Sequence, residues 1–240
     1  IPFADYSFLK QDVNGYQMLE YYIGNAIWGM GANNSSATSF TMNRSTNFVS
    51  SRGCPYACNF CFRGAQGERN YGIRSAENLA QEFLSHINKY NVDFIGMPDD
   101  NFAVNYQRIK DLVPLLEPFK IKWGTHLRLD EAAGLKTNTL GHLDMENPKR
   151  IDLMAKCGCV YIGFGAESAS ANVLKAMNKG GFILKNGFEK VSVNGEIYNF
   201  PLSMTMGIRN CLEAGIHANC TWIMGYPTET LEDLKISVAF

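Results

Sequence analysis

The feature that most constrains this chain is an alternation that runs through most of its length. Short apolar runs that read as strands alternate with longer stretches whose apolar residues recur at helical spacing. The run 46–51 predicts a strand. Ser75 then caps a helix with an apolar stripe of Leu79, Ala80, Phe83, Leu84 and Ile87. A strand over 92–97 ends in Pro98, Asp99 and Asp100, and a helix carrying Ile109, Leu112, Val113 and Leu116 follows, kinked by Pro114. The segment 121–129 alternates as a strand. Asn147 and Pro148 suit the N-cap and first position of a short helix through Lys156. A strand over 160–165, a helix near 169–178, a helix over 203–214 stopped by Gly215, and a strand over 219–224 come next. Thr230 and Asp233 form a capping box for a last helix. Five strand–helix units in a row imply a parallel sheet with right-handed crossovers. An open doubly wound sheet and a barrel or partial barrel both fit. In either, chemistry belongs at the strand C-termini. Those ends read SSRGCPYACNFC, MPDDNF, THLRLD, GFGAES and MGYPTE.

Two segments depart from the alternation. Residues 1–45 are rich in Tyr, Asn, Gly and Ser and read as irregular, with GMGANNSSATS a loop. Residues 181–202 hold Asn194–Gly195 between apolar stretches, which predicts an inserted β-hairpin. The chain does not begin with Met and stops at Phe240 inside a predicted helix, so it reads as a piece of something longer.

Composition narrows the function classes. Apolar residues make up 46% of the 240 and charged residues 19%, the balance of a chain that builds a core. The net charge of −1 gives no basic excess, so nucleic acid is not indicated as a partner. No apolar run is long enough to span a membrane, and no signal peptide opens the chain. Seven cysteines, unevenly spaced, do not form a secreted disulfide framework. The expected compartment is reducing, hence cytoplasmic.

Cys54, Cys58 and Cys61 form a CxxxCxxC motif in the loop after the first strand. Structural zinc takes four ligands, and the nearest histidine, His86, lies in a predicted helix. An iron–sulfur cube held by three cysteines keeps one iron open, which is the mark of a reactive metal site. A zinc-stabilised module and an iron–sulfur electron carrier stand as alternatives, although a carrier saturates its cluster with protein ligands. Cys157, Cys159, Cys211 and Cys220 read as buried free thiols in strands, and Met204 and Met206 as packing.

The stretch CPYACNFC, with Phe60 before the last cysteine and Phe62 after it, resembles the radical S-adenosylmethionine (radical SAM) superfamily. The resemblance runs from about Thr46 to the C-terminus. It implies an α/β fold, a partial (βα)6 TIM-like barrel, here lacking its last strand. It implies a [4Fe–4S] cluster on Cys54, Cys58 and Cys61, whose open iron is chelated by S-adenosylmethionine. One electron from the cluster would cleave the sulfonium and give a 5′-deoxyadenosyl radical that attacks a substrate. Further cofactor contacts are implied for Phe60, for Asp99 and Asp100, for Arg128, for Glu167 and for Met224. Asp99 and Asp100 stand where relatives often carry Gly-Gly-Glu, and they could equally end the strand in an Asx turn. Arg128 suits a carboxylate of cofactor or substrate, or a surface ion pair with Asp130 or Glu131. His126 alternates with Arg128 and so shares its side of the strand.

The motifs SRGCPYACNFCFR, DDNF and GYPTETLEDL look most like the cobalamin-dependent branch and its methylthiotransferase-like neighbours. That likeness makes 1–45 a connector and 46–240 an incomplete core domain, with cobalamin carried by an upstream domain outside this chain. Methyl transfer, methylthiolation or another radical oxidation are the reactions it leaves open. A flavodoxin- or ferredoxin-type electron donor and a small-molecule or peptide substrate are the partners it implies.

Overall fold

A computed structural model describes residues 2–24, 42–62, 70–137 and 143–240. The alternation becomes a five-stranded parallel sheet: β1 (Ser45–Asn47), β2 (Phe94–Met97), β3 (Lys122–Leu127), β4 (Cys159–Glu167) and, after a hairpin, β7 (His217–Trp222). The hairpin strands are β5 (Phe188–Val193) and β6 (Glu196–Pro201). The sheet order is β1-β2-β3-β4-β7, so each strand lies beside its predecessor. A doubly wound sheet reverses its order at a switch point, whereas this one never does. The wall is singly wound, as in a barrel, and right-handed crossovers put its helices on one face.

The two faces differ in chemistry. Ile95, Met97, Trp123, Thr125, Leu127, Ile162, Phe164 and Ala166 share the face beneath the helices, and all are buried. The opposite face carries Gly96, Gly124, His126, Gly163 and Gly165, with Gly96 opposite Gly124 and His126 opposite Gly163. The His126 ring lies against Gly163 so closely that a Cβ there would sit 2.4 Å from the imidazole Cδ2. Glycine at 163 is thus what lets the histidine lie flat on the wall.

The helices follow the predicted stripes with corrections. In α1 (Ala76–Tyr90), Ser75 accepts from the Asn78 amide, and Leu79, Ala80 and Phe83 are buried. Leu84 instead turns outward, and the buried ring of His86 bonds Thr46 Oγ1 at 2.8 Å and the Ala4 carbonyl at 3.1 Å. In α2 (Tyr106–Leu116), Pro114 sits in the last turn and Ile109, Leu112 and Leu116 are buried. The predicted strand 121–129 is too long: it gives way at Arg128 to a short helix, α3 (Leu129–Ala133), ended by Gly134 with a φ of +63°. The alternation of LRLD concealed that switch. Asn147 and Pro148 do not start α4 (Arg150–Lys156), which begins after Lys149, and the Pro148 carbonyl is taken by the Tyr106 hydroxyl at 2.6 Å.

Ser170 caps α5 (Ala171–Ala176), a short helical turn over Gly180–Ile183 follows, and then comes the hairpin, turned at Asn194–Gly195 with φ of +53° and +87°. The hairpin leads into α6 (Leu202–Glu213). The last helix, α7 (Leu231–Ala239), carries the predicted capping box of Thr230 and Asp233. Residues 1–45 are not wholly irregular, for Met18–Gly24 is helical, while the expected loop at 29–39 lies outside the described residues. No helix among the described residues is long and apolar enough to cross a membrane.

Candidate metal centre

The first strand leaves the sheet through Ser50 and Ser51, and Asp99 at the end of β2 clamps both. One Asp99 oxygen accepts from the Ser50 amide at 2.7 Å, and the other accepts from the hydroxyls of Ser50 and of Ser51, the latter at 2.6 Å. The buried Arg108 guanidinium donates to the Ser50 carbonyl at 3.1 Å and to the Phe102 carbonyl at 2.8 Å. Three hydrogen bonds from the root of the cysteine loop thus occupy most of the Asp99 carboxylate. Asp100 is exposed and accepts from the Gly53 amide at 3.2 Å. Gly53 has a φ of +77°, and a Cβ there would fall 1.9 Å from the Asn70 carbonyl oxygen, so no other residue fits that bend.

Beyond Gly53 the chain presents Cys54, Cys58 and Cys61 at the C-terminal edge of the sheet. None is in a disulfide; Cys54 and Cys58 are partly buried and Cys61 is exposed. Burial pushes the Cys54 thiol up, and the Tyr56 amide and the Arg128 charge act against it. Among the described residues no three His, Cys, Asp or Glu side chains are gathered closely enough to hold a single ion. A cube-shaped cluster takes its thiolates at separate corners, and three soft sulfur donors on one short loop suit that demand.

The loop is docked on the turn after α5. The Asn59 amide donates to the Met177 carbonyl at 2.9 Å, and its side-chain Nδ2 donates to the Ala176 carbonyl at 2.9 Å. Asn178, with a φ of +53°, donates from Nδ2 to the Ala57 carbonyl at 2.8 Å. On the other side the Tyr56 hydroxyl donates to Glu131 Oε1 at 2.9 Å, and Asn101 Nδ2 donates to the same oxygen at 3.0 Å. Burial, and then the Asp130 charge, hold the Glu131 carboxyl above its ordinary range. Sequence reading missed Tyr56, Asn59, Asn178 and Lys179, and named Glu131 only as an ion-pair partner for Arg128. Only Asn178 gave a signal, as an asparagine just past a helix end, where the left-handed region is used.

Arg128 caps the end of β3 and is buried among these groups. Its Nε donates to Asp130 Oδ1 at 2.9 Å, and its Nη1 approaches Cys58 Sγ at 3.7 Å. The guanidinium lies 4.1 Å from the Tyr56 ring centre and 5.9 Å from that of Phe182. Of the two readings of Arg128, the structure shows the ion pair with Asp130, formed in the interior and beside a cysteine.

Glu167 ends β4 past a register shift, with a φ of +65° that is rare for a residue with a side chain. Its Oε1 accepts from the buried Lys179 ammonium at 3.2 Å, and Lys179 also donates to the Gly165 carbonyl at 2.6 Å. The Phe60 ring lies 5.7 Å from that ammonium, which joins the cysteine loop to the end of β4. Met224 lies beyond the end of β7, mostly exposed, and lines a cavity of about 320 Å³ together with Glu167 and Trp222. So the structure brings Phe60, Arg128, Glu167 and the three cysteines to one edge, with Met224 on the Glu167 side.

The four other cysteines are buried or half-buried, as expected, but only Cys159 and Cys220 lie in strands; Cys157 ends α4 and Cys211 lies in α6.

The sequence pattern of the Radical SAM superfamily matches residues 48–240. An uncharacterized methyltransferase of Pyrococcus horikoshii is 26% identical over 194 residues, which cover 80% of this chain and 35% of that protein. The hopanoid C-2 methylase of Rhodopseudomonas palustris is 26% identical over 79% of this chain and 32% of its own length. The cobalamin-dependent S-adenosylmethionine radical enzyme OxsB, solved with aqua-cobalamin bound, shares the fold with a TM-score of 0.61 at 24% identity, over 80% of this chain and 25% of that one. The chain thus spans a quarter to about a third of the length of these relatives.

Proposed function

The chain belongs to the radical SAM superfamily, and on that premise we propose that it is the radical-generating core of a cobalamin-dependent methyltransferase. Membership brings a [4Fe–4S] cluster and S-adenosylmethionine as cofactors. The observation that carries the reading is the placement of three cysteines, none in a disulfide, on one braced loop at the strand C-termini, with Arg128 beside Cys58. In this reading Cys54, Cys58 and Cys61 hold the cluster. When bound, the cluster supplies the electron that cleaves the sulfonium of S-adenosylmethionine.

The protein's own part is to position and to shield. Asp99, Ser50, Ser51 and Arg108 fix the root of the loop, and Asn59 and Asn178 fix its far side. Asp100 remains a candidate for the cofactor's ammonium, since one exposed amide contact leaves it acceptor capacity. Glu167 suits the ribose or methionine end, its charge balanced by Lys179. Phe60 and Met224 offer apolar surface on the two sides of Glu167 for the cofactor's body.

The assignment to cobalamin chemistry rests on the relatives, which are named as methyltransferases and as a cobalamin-dependent radical enzyme. It makes residues 1–45 a connector from a cobalamin domain and 46–240 the barrel core. A sixth strand of the full protein would pair with the outer edge of β7. The protein works in a reducing cytoplasm, with a flavodoxin or ferredoxin as donor and a small-molecule or peptide substrate.

The test is anaerobic reconstitution with iron and sulfide, followed by incubation with S-adenosylmethionine and dithionite and mass spectrometry of the products. The expected result is about four irons per chain and formation of 5′-deoxyadenosine. A cluster without 5′-deoxyadenosine, in this chain and in its full-length parent, would make the protein an electron carrier. Bound zinc without sulfide would overturn the reading altogether.

A further inference from the structure

The guanidinium of Arg128 is held by four groups at once. Asp130 takes its Nε at 2.9 Å, Tyr56 stacks on its plane at 4.1 Å, the Lys179 carbonyl lies 3.5 Å from Nη2, and Cys58 Sγ lies 3.7 Å from Nη1. Arg128 is 7% exposed, so solvent screens this charge poorly. Two of the four contacts come from the cysteine loop itself. A planar cation fixed at hydrogen-bonding distance from a cysteine sulfur is not placed to reach outward for a small molecule's carboxylate.

We propose that Arg128 tunes the reduction potential of the cluster by an N–H···S contact to Cys58, and that Asp130 sets the size of that effect by partly neutralising the cation. The inference rests on the reading of Cys58 as a cluster ligand. Its physics is simple. Reduction adds one negative charge to the cluster and its thiolates. A buried cation beside a ligand sulfur stabilises that added charge, so it makes reduction easier and raises the potential. Hydrogen bonds to cluster sulfurs act in the same direction. Asp130, 2.9 Å from Nε, works against it. Arg128 is thus a positioning and tuning residue beside the metal centre, a role distinct from binding the cofactor's carboxylate.

The two members of the pair should move the potential in opposite directions, which mere damage to the loop would not do. The measurement is a redox titration of the reconstituted chain followed by electron paramagnetic resonance, without S-adenosylmethionine. Arg128→Gln is expected to lower the midpoint by at least tenfold in the reduction equilibrium, 59 mV for a one-electron couple. Arg128→Lys keeps the charge but loses the flat fork and the stack, and should fall between. Asp130→Asn should raise the midpoint. If Arg128→Gln does not fold, Asp130→Asn and Arg128→Lys decide the matter by their signs. Midpoints in the variants equal to the wild-type value, or Asp130→Asn shifting downward, would overturn the proposal while leaving the cluster intact. A wild-type chain that takes up no cluster would overturn the reading beneath it as well.

Discussion

The molecule uses cysteine in two opposite ways. Cys54, Cys58 and Cys61 stand on a loop at the open edge of the sheet, beside a fixed cation. Cys157, Cys159 and Cys211 are at most 3% exposed, packed where helices meet the sheet. There burial pushes Cys157 and Cys211 up to about 12 and half-buried Cys220 up to about 11. Since the thiolate is the species that ligates a metal, those thiols are chemically silent at neutral pH. Burial also raises the Cys54 thiol, but there an amide and the Arg128 charge oppose it. The lesson is that the motif's spacing matters only because the chain also supplies an edge, a brace and a positive charge.

The contrast can be broken most forcefully by exchanging the roles. Alanine at Cys54, Cys58 and Cys61 together should abolish iron and sulfide uptake after reconstitution, while Cys159→Ala and Cys211→Ala should leave both unchanged. Iron retained by the triple variant would place the metal elsewhere. Next in size is Cys159→Ser, which replaces a buried thiol 3.6 Å from the Tyr161 carbonyl by a shorter, more polar hydroxyl and should cost about 1–3 kcal/mol. Thermal unfolding reads that loss, and an unchanged iron content would keep it a packing effect.

A smaller effect tests how the reactive loop is held. Asn178→Gly keeps the left-handed backbone without strain, removes one hydrogen bond to the loop and should cost about 0.5–1.5 kcal/mol, with faster amide exchange confined to 54–62. Uniform exchange across the chain would show that the turn after α5 does not dock the loop.

The subtlest test concerns pH. The Glu131 carboxyl, raised in the fold by burial and the Asp130 charge, contributes stability that is full below its unfolded value and fades as pH rises through the folded value. Glu131→Gln keeps the shape without the charge. Its stability relative to wild type should therefore grow from pH 5 to pH 8 in paired denaturation curves. A flat difference would mean that Glu131 is ionised in the fold at no cost.

Much of this was readable from the sequence where the signal is local. The cysteine loop, the Ser75 and Thr230 caps and the Asn194–Gly195 turn all depend on residues within a few positions of each other. The choice between a doubly wound sheet and a barrel wall was not local, because both show the same alternation and only the strand order differs. Arg128 illustrates the same limit. Its ion pair with Asp130 lies two residues away and was among the alternatives the sequence offered, whereas its contact with Cys58 crosses 70 positions. Asp99 shows the limit again: a carboxylate at a strand end looks the same in sequence whether or not it also holds two serines of a neighbouring strand.

The central claim is that three cysteines leave one iron open to S-adenosylmethionine. The direct test is to reduce the reconstituted chain anaerobically and record its electron paramagnetic resonance spectrum with and without S-adenosylmethionine. The account predicts a [4Fe–4S]⁺ signal whose shape changes when the cofactor is added. A cluster signal indifferent to the cofactor would contradict it.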